Sequence, residues 1–398
     1  MKPCYLYCSL WKEHGGAPGL GRISFDPSQG TLGKAEKLND SISFNCSKVY
    51  PDRRLIYISN EIDEQPDSEH RTGRIYGYEI EEETGDLREL FHRDTGCPNP
   101  SYLTLDPTGR YMVMAHHSTS DHVTRLVCRE DGGYEPVSYW NDSAVELFRV
   151  KEDGSLGELV DVVRHVPDRP VWDRFGRPGN CHPHCAVFSP DGTWCAVCDK
   201  GDGYVYLYRI DYEKEKLVLG GKYLTDTDTS APRYCVFHPT LPYLYINHEH
   251  ADRGNLNISV FRYQKEGSLE RVQVLSVLSG EGIPEEQKKQ HYEQQGFCMH
   301  PSGQYVYTVI HGYQVNSIGV CRVDPQTGQL TLLENAPIEG EWPRGVVLSP
   351  DGRYLLSSCL ASGDIAVYEI GADGRLTANG SHAVLKGCSY MSFYEQTR

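Results

Sequence analysis

One short pattern returns along the whole chain and constrains its fold more than any other feature. In residues 182–192, polar residues open a run of apolar, strand-forming side chains that ends in a tight turn at Pro190, Asp191 and Gly192. Val, Phe and Cys suit a pleated, buried surface, while Pro and Gly supply the backbone angles of a tight turn. The pattern recurs in residues 233–239 and 344–352, and less strictly in 101–107, 295–301 and 45–51. This recurrence predicts a fold built from repeated units.

Three further strand-like runs follow each copy of this pattern. An apolar run such as 111–114 comes first, then a run such as 145–150, and then a glycine turn that leads into a run starting with Leu, as at Leu156. Four antiparallel strands repeated at about 50 residues are typical of a β-propeller blade. The six complete blades predicted in this way are 45–92, 100–165, 183–224, 232–278, 294–338 and 343–385.

The two ends of the chain supply the remaining blade. Residues 5–40 contain only the later strands of a repeat, and residues 388–394 have the character of the missing first strand. We therefore predict an all-β fold in which residues 1–398 form one seven-bladed propeller with four antiparallel strands per blade. The ring would close where the N-terminal and C-terminal strands share a blade.

The long insertions all fall on one predicted face of the propeller. In a four-stranded meander, the first strand begins and the second strand ends on the same face, and the tight Pro-Asp-Gly turns lie on the other. A rigid scaffold with one elaborated face tends to carry its function there. The segments that we interpret as irregular insertions on this face are 62–72, 116–142, 164–181, 250–255 and 279–294.

Polar residues occupy the strand ends at this elaborated face. Counting six residues back from each turn Pro gives the start of each inner strand, at Asn45, Ser101, His184, Arg233, Gln295 and Arg344. Counting ten residues forward gives the end of each second strand, at Glu61, His117, Lys200, Glu249, His311 and Leu360. Only Leu360 is apolar, so the strand ends predict a polar mouth at which a ligand binds.

Three of these residue types indicate particular chemistry. The imidazole of His184 has a pKa naturally near neutrality, which suits a general acid or base. Two guanidinium groups, from Arg233 and Arg344, would repel each other near one axis unless an anion lay between them. Glu249 is one candidate for that anion, and a negatively charged ligand is the other.

Composition narrows the classes of partner. A formal net charge of −16 argues against a nucleic-acid partner, which requires clustered Lys and Arg. No apolar run approaches the roughly 18 residues of a membrane-spanning helix, and the apolar run before Trp11 is too short for a signal peptide. We therefore expect no nucleic-acid partner, no membrane partner and a cytoplasmic location. The sequence leaves the oligomeric state open.

The 14 cysteines are interpreted as small buried side chains in a reducing compartment. Cys195 and Cys198 resemble a redox pair, but their odd separation on a strand would point them to opposite faces. Residues 181–185 combine two Cys and two His, yet no second ligand pair completes a structural zinc site. We therefore expect no metal and no cofactor.

The chain resembles the seven-bladed lactonase family, which includes the propeller-type bacterial 6-phosphogluconolactonases and a fungal carboxy-cis,cis-muconate cyclase. The resemblance covers essentially the whole length and is most specific in residues 184–191, 232–239, 247–249 and 343–345. It implies that His184, Arg233, Glu249 and Arg344 form the catalytic site. The residues that we expect to bind substrate around them are His182, Glu61, His117, Lys200, Gln295 and His311.

The first hypothesis is a metal-independent hydrolase of a small anionic sugar lactone, most simply 6-phospho-D-glucono-1,5-lactone. His184 would deprotonate a water molecule, and Arg233 and Arg344 would bind the anionic group and stabilise the developing oxyanion. Glu249 would orient His184 or one of the arginines.

Three alternatives stay open. The same groups could run a cyclisation of an unsaturated dicarboxylate, as in the muconate relative. A calcium-dependent lactonase would need oxygen ligands, for which Glu61, Glu249, Asn45 and Asn247 are candidates. A non-catalytic propeller that binds a protein partner would favour apolar insertion tips, whereas these tips carry Asp121, Arg125, Arg129, Asp168, Arg169, Asp173, Arg174 and Arg177.

Overall fold

Strands make up nearly all the regular structure of the protein. The computed structural model describes residues 4–65, 67–171, 179–226, 230–250, 256–278, 292–312 and 316–396. In this part of the chain the only helix is a single 3-10 turn, Pro51–Arg53. No helix in these ranges is long and apolar enough to cross a membrane.

The strands of the first half of the chain are β1 (Cys4–Leu10), β2 (Gly19–Asp26), β3 (Thr31–Asn39), β4 (Ser47–Tyr50), β5 (Leu55–Asn60), β6 (Arg74–Ile80), β7 (Leu87–Asp94), β8 (Pro100–Leu105), β9 (Tyr111–His116), β10 (His122–Cys128), β11 (Tyr134–Trp140), β12 (Ala144–Val150), β13 (Leu156–Arg164), β14 (Pro183–Phe188) and β15 (Cys195–Asp199). Those of the second half are β16 (Tyr204–Asp211), β17 (Lys216–Leu224), β18 (Pro232–Phe237), β19 (Tyr243–His248), β20 (Asn257–Tyr263), β21 (Leu269–Ser276), β22 (Tyr292–Met299), β23 (Tyr305–Gly312), β24 (Ser317–Val323), β25 (Leu330–Pro337), β26 (Pro343–Leu348), β27 (Tyr354–Cys359), β28 (Asp364–Ile370), β29 (Leu376–Val384) and β30 (Cys388–Glu395).

These strands form seven antiparallel sheets of four strands and one separate hairpin, β10–β11. The inner strands β4, β8, β14, β18, β22, β26 and β30 each contact the next, and β30 contacts β4, so the sheets close into a ring. The predicted all-β, seven-bladed propeller is therefore confirmed. The sheet orders are β3-β2-β1-β30, β4-β5-β6-β7, β8-β9-β12-β13, β14-β15-β16-β17, β18-β19-β20-β21, β22-β23-β24-β25 and β26-β27-β28-β29.

The ends of the chain meet in one blade, as the sequence predicted. Strand β30 pairs with β1 along its length, with Leu6 opposite Phe393 and Cys8 opposite Met391. The Ser389 hydroxyl also donates a hydrogen bond to the carbonyl oxygen of Ser9 at 3.2 Å. The last strand therefore holds the first blade to the ring.

The Pro-Asp-Gly turns recur because each makes the same tight connection between the first and second strands of a blade. In the turn after β14, the Ser189 hydroxyl donates to Asp191 at 2.6 Å and accepts the N–H of Trp194 at 3.1 Å. Gly192 has a φ of +71°, in the left-handed region that favours glycine. A Cβ atom at Gly192 would also lie only 2.5 Å from the Pro107 ring of the neighbouring blade. The glycine is thus required both by the turn and by the packing of adjacent blades.

Buried tyrosines tie successive blades together, which explains part of the high Tyr content. Each lies on the second strand of its blade and donates its hydroxyl to the carbonyl oxygen of a positive-φ glycine in the next blade. Such hydrogen bonds satisfy a buried polar atom and fix the angle between sheets. The four pairs are Tyr7 to Gly85 (2.6 Å), Tyr57 to Gly154 (2.7 Å), Tyr245 to Gly328 (2.9 Å) and Tyr307 to Gly374 (3.2 Å).

One predicted insertion is more regular than expected. Residues 116–142 were interpreted as irregular, but they contain the hairpin β10–β11, in which Val123 lies opposite Tyr139. The β-branched residues of β10, Val123, Thr124 and Val127, and the turn at Gly132 account for this hairpin. It exposes 74% of Leu126 and 70% of Tyr134, so this insertion presents apolar and aromatic side chains beside the charged ones that the sequence predicted.

Other predicted insertions fall partly outside the described residues. These are 164–181, 250–255 and 279–294, together with Pro66 in the segment 62–72, and the tip residues Asp173, Arg174 and Arg177.

Candidate active site

A central cavity of about 810 Å³ opens on the elaborated face of the propeller. It lies where the inner strands begin and the second strands end, and every blade contributes at least one side chain to its wall. The predicted residues His184, Arg233, Glu249 and Arg344 all line it. The other lining residues include Trp11, His14, Glu61, His117, Lys200, Glu293, Gln295 and Trp342.

A β-bulge carries three of the four predicted catalytic residues, His184, Arg233 and Arg344. In the blade of β14, pairing passes from Pro183 opposite Asp199 to Cys185 opposite Cys198, which leaves His184 without a partner on β15. The inner strands of two other blades skip Arg233 and Arg344 in the same way. A bulge adds one unpaired residue and re-aims its side chain. The repeated bulge explains why residues on different blades converge on one cavity.

Three ionised groups form a compact cluster on one side of the cavity. Nη1 of Arg233 lies 2.9 Å from Oε2 of Glu249, and the Lys200 ammonium contacts the same oxygen. Burial alone would raise the pKa of Glu249, but Lys200 and Arg233 hold that pKa well below its usual value. Burial opposes the charge of Arg233, yet Glu249 leaves the pKa of this guanidinium raised. Glu249 and Arg233 therefore stay ionised, while burial lowers the pKa of Lys200 against the opposing effect of Glu249.

Arg344 lies two blades away from Arg233 and in a different environment. Within the described chain its guanidinium makes no hydrogen bond and no ion pair with protein atoms. Its Cζ atom lies 4.3 Å from the centre of the Trp11 ring, a distance typical of a cation–π contact. Burial and the repulsion of Arg233 lower the pKa of Arg344. Its donors are therefore available to a group in the cavity.

His184 is a buried, neutral imidazole. It packs edge-on against Tyr234, with ring centres 5.1 Å apart, and against His117 at 5.9 Å. Burial, followed by the charges of Arg233 and Lys200, lowers the pKa of His184 well below its usual value. Its Nδ1 has no hydrogen-bond partner in the described part of the protein. The ring therefore stands in its basic form at neutral pH.

His117 lines the cavity, whereas His182 stands behind it. Their rings stack with centres 4.5 Å apart, and Nδ1 of His182 donates to the carbonyl oxygen of His117 at 2.6 Å. Burial lowers the pKa of both imidazoles. His182 was predicted to bind substrate, but in the described structure it supports a residue that can.

The remaining residues that open inner strands also differ in whether they line the cavity. Asn45 donates a hydrogen bond to Glu61, whose pKa is raised by burial against the opposing effect of Arg344 and Arg233. Gln295 lines the cavity and donates to Glu293 at 3.2 Å. Ser101 is buried away from the cavity, within hydrogen-bond distance of the carbonyl oxygens of Pro183 and His184, at 3.1 and 3.2 Å.

The counting rule misplaced one residue and missed an aromatic group. His311 lines a neighbouring cavity of about 680 Å³ and packs against Trp342, with ring centres 4.3 Å apart. His14 stacks on Trp342 at the same distance, and Trp11 follows in the same cluster. Trp11 could have been found, because it stands immediately after β1, the second strand of its blade.

The candidate metal ligands are already engaged by the protein. The amide oxygen of Asn247 accepts the N–H of Tyr234 at 2.9 Å, and two cations hold Glu249. All 14 cysteines lie in described residues as free thiols, and the Cys185 thiol packs against that of Cys235. Neither the calcium ligands nor residues 181–185 present a convergent, unpaired set.

The fold and the lining define a seven-bladed β-propeller with a charged central cavity. The chain belongs to the family described as "Lactonase, 7-bladed beta-propeller", which matches residues 7–393. The resemblance inferred from the sequence, and with it the lactonase class, is thereby confirmed at the level of the family.

Two curated relatives are similar to this chain over nearly its whole length. The chain is 25% identical over 369 residues to a 6-phosphogluconolactonase of Bacillus subtilis, covering 91% of this chain and 90% of the relative. It is 20% identical over 379 residues to a 6-phosphogluconolactonase of Formosa agariphila, covering 94% and 95% of the two chains.

Solved structures share the fold over the whole chain. The periplasmic gluconolactonase of Pseudomonas aeruginosa superposes with a TM-score of 0.79 at 22% identity, covering 98% of this chain and 99% of that one. A protein from Lactobacillus plantarum gives 0.77 at 19% identity, covering 99% and 100%. Because one of these proteins is periplasmic, the cytoplasmic location stays a prediction.

Proposed function

We propose that the central cavity hydrolyses a small anionic sugar lactone without a metal ion, most simply 6-phospho-D-glucono-1,5-lactone. The observation that carries this proposal is that one cavity holds both a neutral, buried His184 and an Arg344 guanidinium without an ion-pair partner in the described chain. The family membership and the names of the curated relatives support the same class of substrate.

Arg344 is the proposed receptor for the anionic group. An unpaired guanidinium presents several donors in a fixed plane and binds phosphate or carboxylate oxygens in pairs. Burial strengthens such a contact, because little water competes for the charge. The Trp11 ring contacts the guanidinium without accepting a hydrogen bond from it, which leaves the N–H donors for the ligand.

His184 is the proposed general base. It accepts a proton from a water molecule while the water oxygen bonds to the lactone carbonyl carbon, which gives a tetrahedral oxyanion. The bond between that carbon and the ring oxygen then breaks, and the imidazolium returns the proton to the departing alkoxide. The product is the open-chain acid with a free hydroxyl group.

Arg233 is the proposed donor to the oxyanion. Its charge acts directly on His184, so it lies close to the position at which the base would work. Glu249 holds this guanidinium in place and is itself fixed by Lys200, and a fixed donor needs no reorganisation as charge develops. Glu61, His117, Lys200 and Gln295 line the same cavity and are proposed to contact the sugar.

The cyclising reaction fits this arrangement less well. A dicarboxylate substrate would call for two anion-binding groups, whereas Arg233 is already neutralised by Glu249 and only Arg344 is unpaired among the described arginines of the cavity. We therefore favour a substrate with one anionic group.

A lactone panel with acid release as the readout tests this function. The wild type should accelerate opening of 6-phospho-D-glucono-1,5-lactone above the rate in buffer. The variant H184A should lose about 10²- to 10⁴-fold in kcat, the usual contribution of a general base. H92A, which removes an exposed imidazole on an outer strand, is the matched control. An inactive wild type would contradict the function, and a fully active H184A would contradict the role of His184.

A further inference from the structure

Asp199 ties together the two chain segments that carry His184 and Lys200. This residue is fully buried at the end of β15. Its Oδ1 accepts the backbone N–H of His182 at 2.6 Å and that of Gly201 at 2.9 Å. The N–H of Lys200 in turn donates to the carbonyl oxygen of His182 at 3.0 Å. One carboxylate oxygen thus clamps the start of the inner strand to the end of the second strand.

A second layer fixes the carboxylate itself. Nδ1 of His165 lies 2.7 Å from Oδ2 of Asp199, and Nε2 of His165 lies 2.9 Å from the Tyr208 hydroxyl. Since a carboxylate can only accept, Nδ1 of His165 carries a proton and donates it to Asp199. Every partner in this chain is buried. Asp199 therefore has one defined rotamer.

The neighbouring groups do not turn this cluster into an ion site. The thiol of Cys181 and a carboxylate oxygen of Asp202 lie within 4.8 Å of each other and of Asp199. Asp202, however, already accepts the Tyr206 hydroxyl at 2.5 Å and the N–H of Tyr204 at 3.1 Å. Each carboxylate oxygen of Asp199 and Asp202 accepts a hydrogen bond from the protein. The cluster is therefore a hydrogen-bonded clamp.

Other blades show that the fold does not need this clamp. Asp199 pairs with Pro183, the residue before the bulge at His184. In the blade of Arg344 the equivalent pair is Pro343 with Cys359, and the same bulge forms there with a thiol. The carboxylate is therefore special to the blade that supplies His184.

His184 is the residue with most need of such support. Its Nδ1 has no hydrogen-bond partner among the described residues, so no side chain orients the ring by a polar contact. Its position depends on its backbone and on packing against Tyr234 and His117. A small shift of the segment 182–184 would move the ring directly.

We propose that Asp199 is a positioning residue, which sets the backbone of His184 and Lys200 for lactone hydrolysis. The inference rests on the proposed function of the cavity. It predicts that opening the clamp lowers turnover more than substrate affinity, because the anion receptor Arg344 lies on another blade and only the sugar contact of Lys200 lies on this one.

Three variants test the clamp. D199C places in this blade the residue that the blade of Arg344 uses, and should fold but lose on the order of 10²-fold in kcat with a much smaller change in KM. D199N retains an oxygen that accepts both N–H groups and should keep most of the turnover. C359S, at the equivalent position away from His184, should change neither constant.

The outcomes separate the clamp from the function. A D199C variant with wild-type turnover, or one that cannot fold, would overturn the proposal, as would equal losses in D199N and D199C. If the wild type opens no lactone, the proposed function fails. The clamp is then tested separately by NMR of the histidine-labelled protein, in which the ring signal of His184 is assigned with H184N. One narrow signal in the wild type and D199N, with a broadened or split signal in D199C, supports the clamp. Identical signals in all three contradict it.

Discussion

Arg233 and Arg344 occupy the same position in two blades and yet have different roles in the cavity. Both follow a proline at the start of an inner strand, and both stand in a bulge. Arg233 is paired with Glu249, whereas Arg344 rests on Trp11 without a carboxylate partner in the described chain. Identical backbone placement has thus produced one structural ion pair and one open anion receptor.

The difference teaches that position in the repeat does not define function by itself. What distinguishes the two arginines is the residue that ends a nearby second strand: Glu249 beside Arg233, and apolar Leu360 in the blade of Arg344. A buried guanidinium without a partner is costly for the folded state, and such a cost is commonly found where a ligand binds. The following predictions test this contrast.

The largest expected effect is on stability. E249Q removes the shared partner of Arg233 and Lys200 and leaves two buried cations uncompensated. We expect the free energy of unfolding to fall by about 3–5 kcal/mol, the usual cost of breaking a buried ion pair from one side. Urea unfolding measures this change.

Two controls belong with that measurement. R344M should lose no stability, because it removes a buried charge that has no partner among the described residues. E64Q, at an exposed rim position, should change the free energy of unfolding by less than about 0.5 kcal/mol. Equal losses in E249Q and R344M would erase the contrast between the two arginines.

The second expected effect is on the pH dependence of kcat/KM. His184 must be neutral to act as a base, and its lowered pKa places the acid limb below pH 6.5, the ordinary value for histidine. Arg233 is the strongest charge that disfavours the imidazolium. R233M should therefore raise the pKa of His184 and move the acid limb to higher pH.

R344M is the matched variant for this profile and should leave the acid limb where it is, because the cations that act on His184 are Arg233 and Lys200. An acid limb that R233M leaves unmoved, or moves to lower pH, would show that His184 is not the titrating base.

The smallest expected effect concerns Trp11. W11L removes the cation–π contact with Arg344, which is worth about 0.5–1 kcal/mol at a partly exposed site, so KM should rise about two- to fivefold. The contact between Arg22 and Tyr5 has the same chemistry on the outside of the first blade, and Y5L should leave KM unchanged. An unchanged KM in W11L would mean that Trp11 does not prepare Arg344.

Most of the fold could be predicted from the sequence, because each blade repeats the same local solution. The turn at Gly192 and the strand Tyr residues recur at fixed spacings, and both make their contacts between neighbouring blades. The hairpin β10–β11 escaped prediction because it interrupts the repeat: its alternating side chains pair only with each other.

The sequence predicted which residues lie at the site but not which of them pair with each other. Counting from the turn Pro identified His184, Lys200, Arg233 and Glu249, since strand ends on one face converge. It could not decide whether Glu249 pairs with His184 or with an arginine, because that choice depends on side-chain rotamers and on bulges that leave no clear mark in the sequence. It also missed Trp342, since the rule took one residue per strand end and Trp342 precedes its strand.

The most direct test of the account compares two lactones in the wild type and in R344M. We expect R344M to lower kcat/KM for 6-phospho-D-glucono-1,5-lactone by about 10- to 150-fold, which corresponds to the roughly 1.5–3 kcal/mol of a charge-assisted hydrogen bond. The uncharged glucono-1,5-lactone should be hydrolysed at nearly the wild-type rate. Equal losses for both lactones, or no loss for the phosphorylated one, would contradict the assignment of Arg344 as the anion receptor.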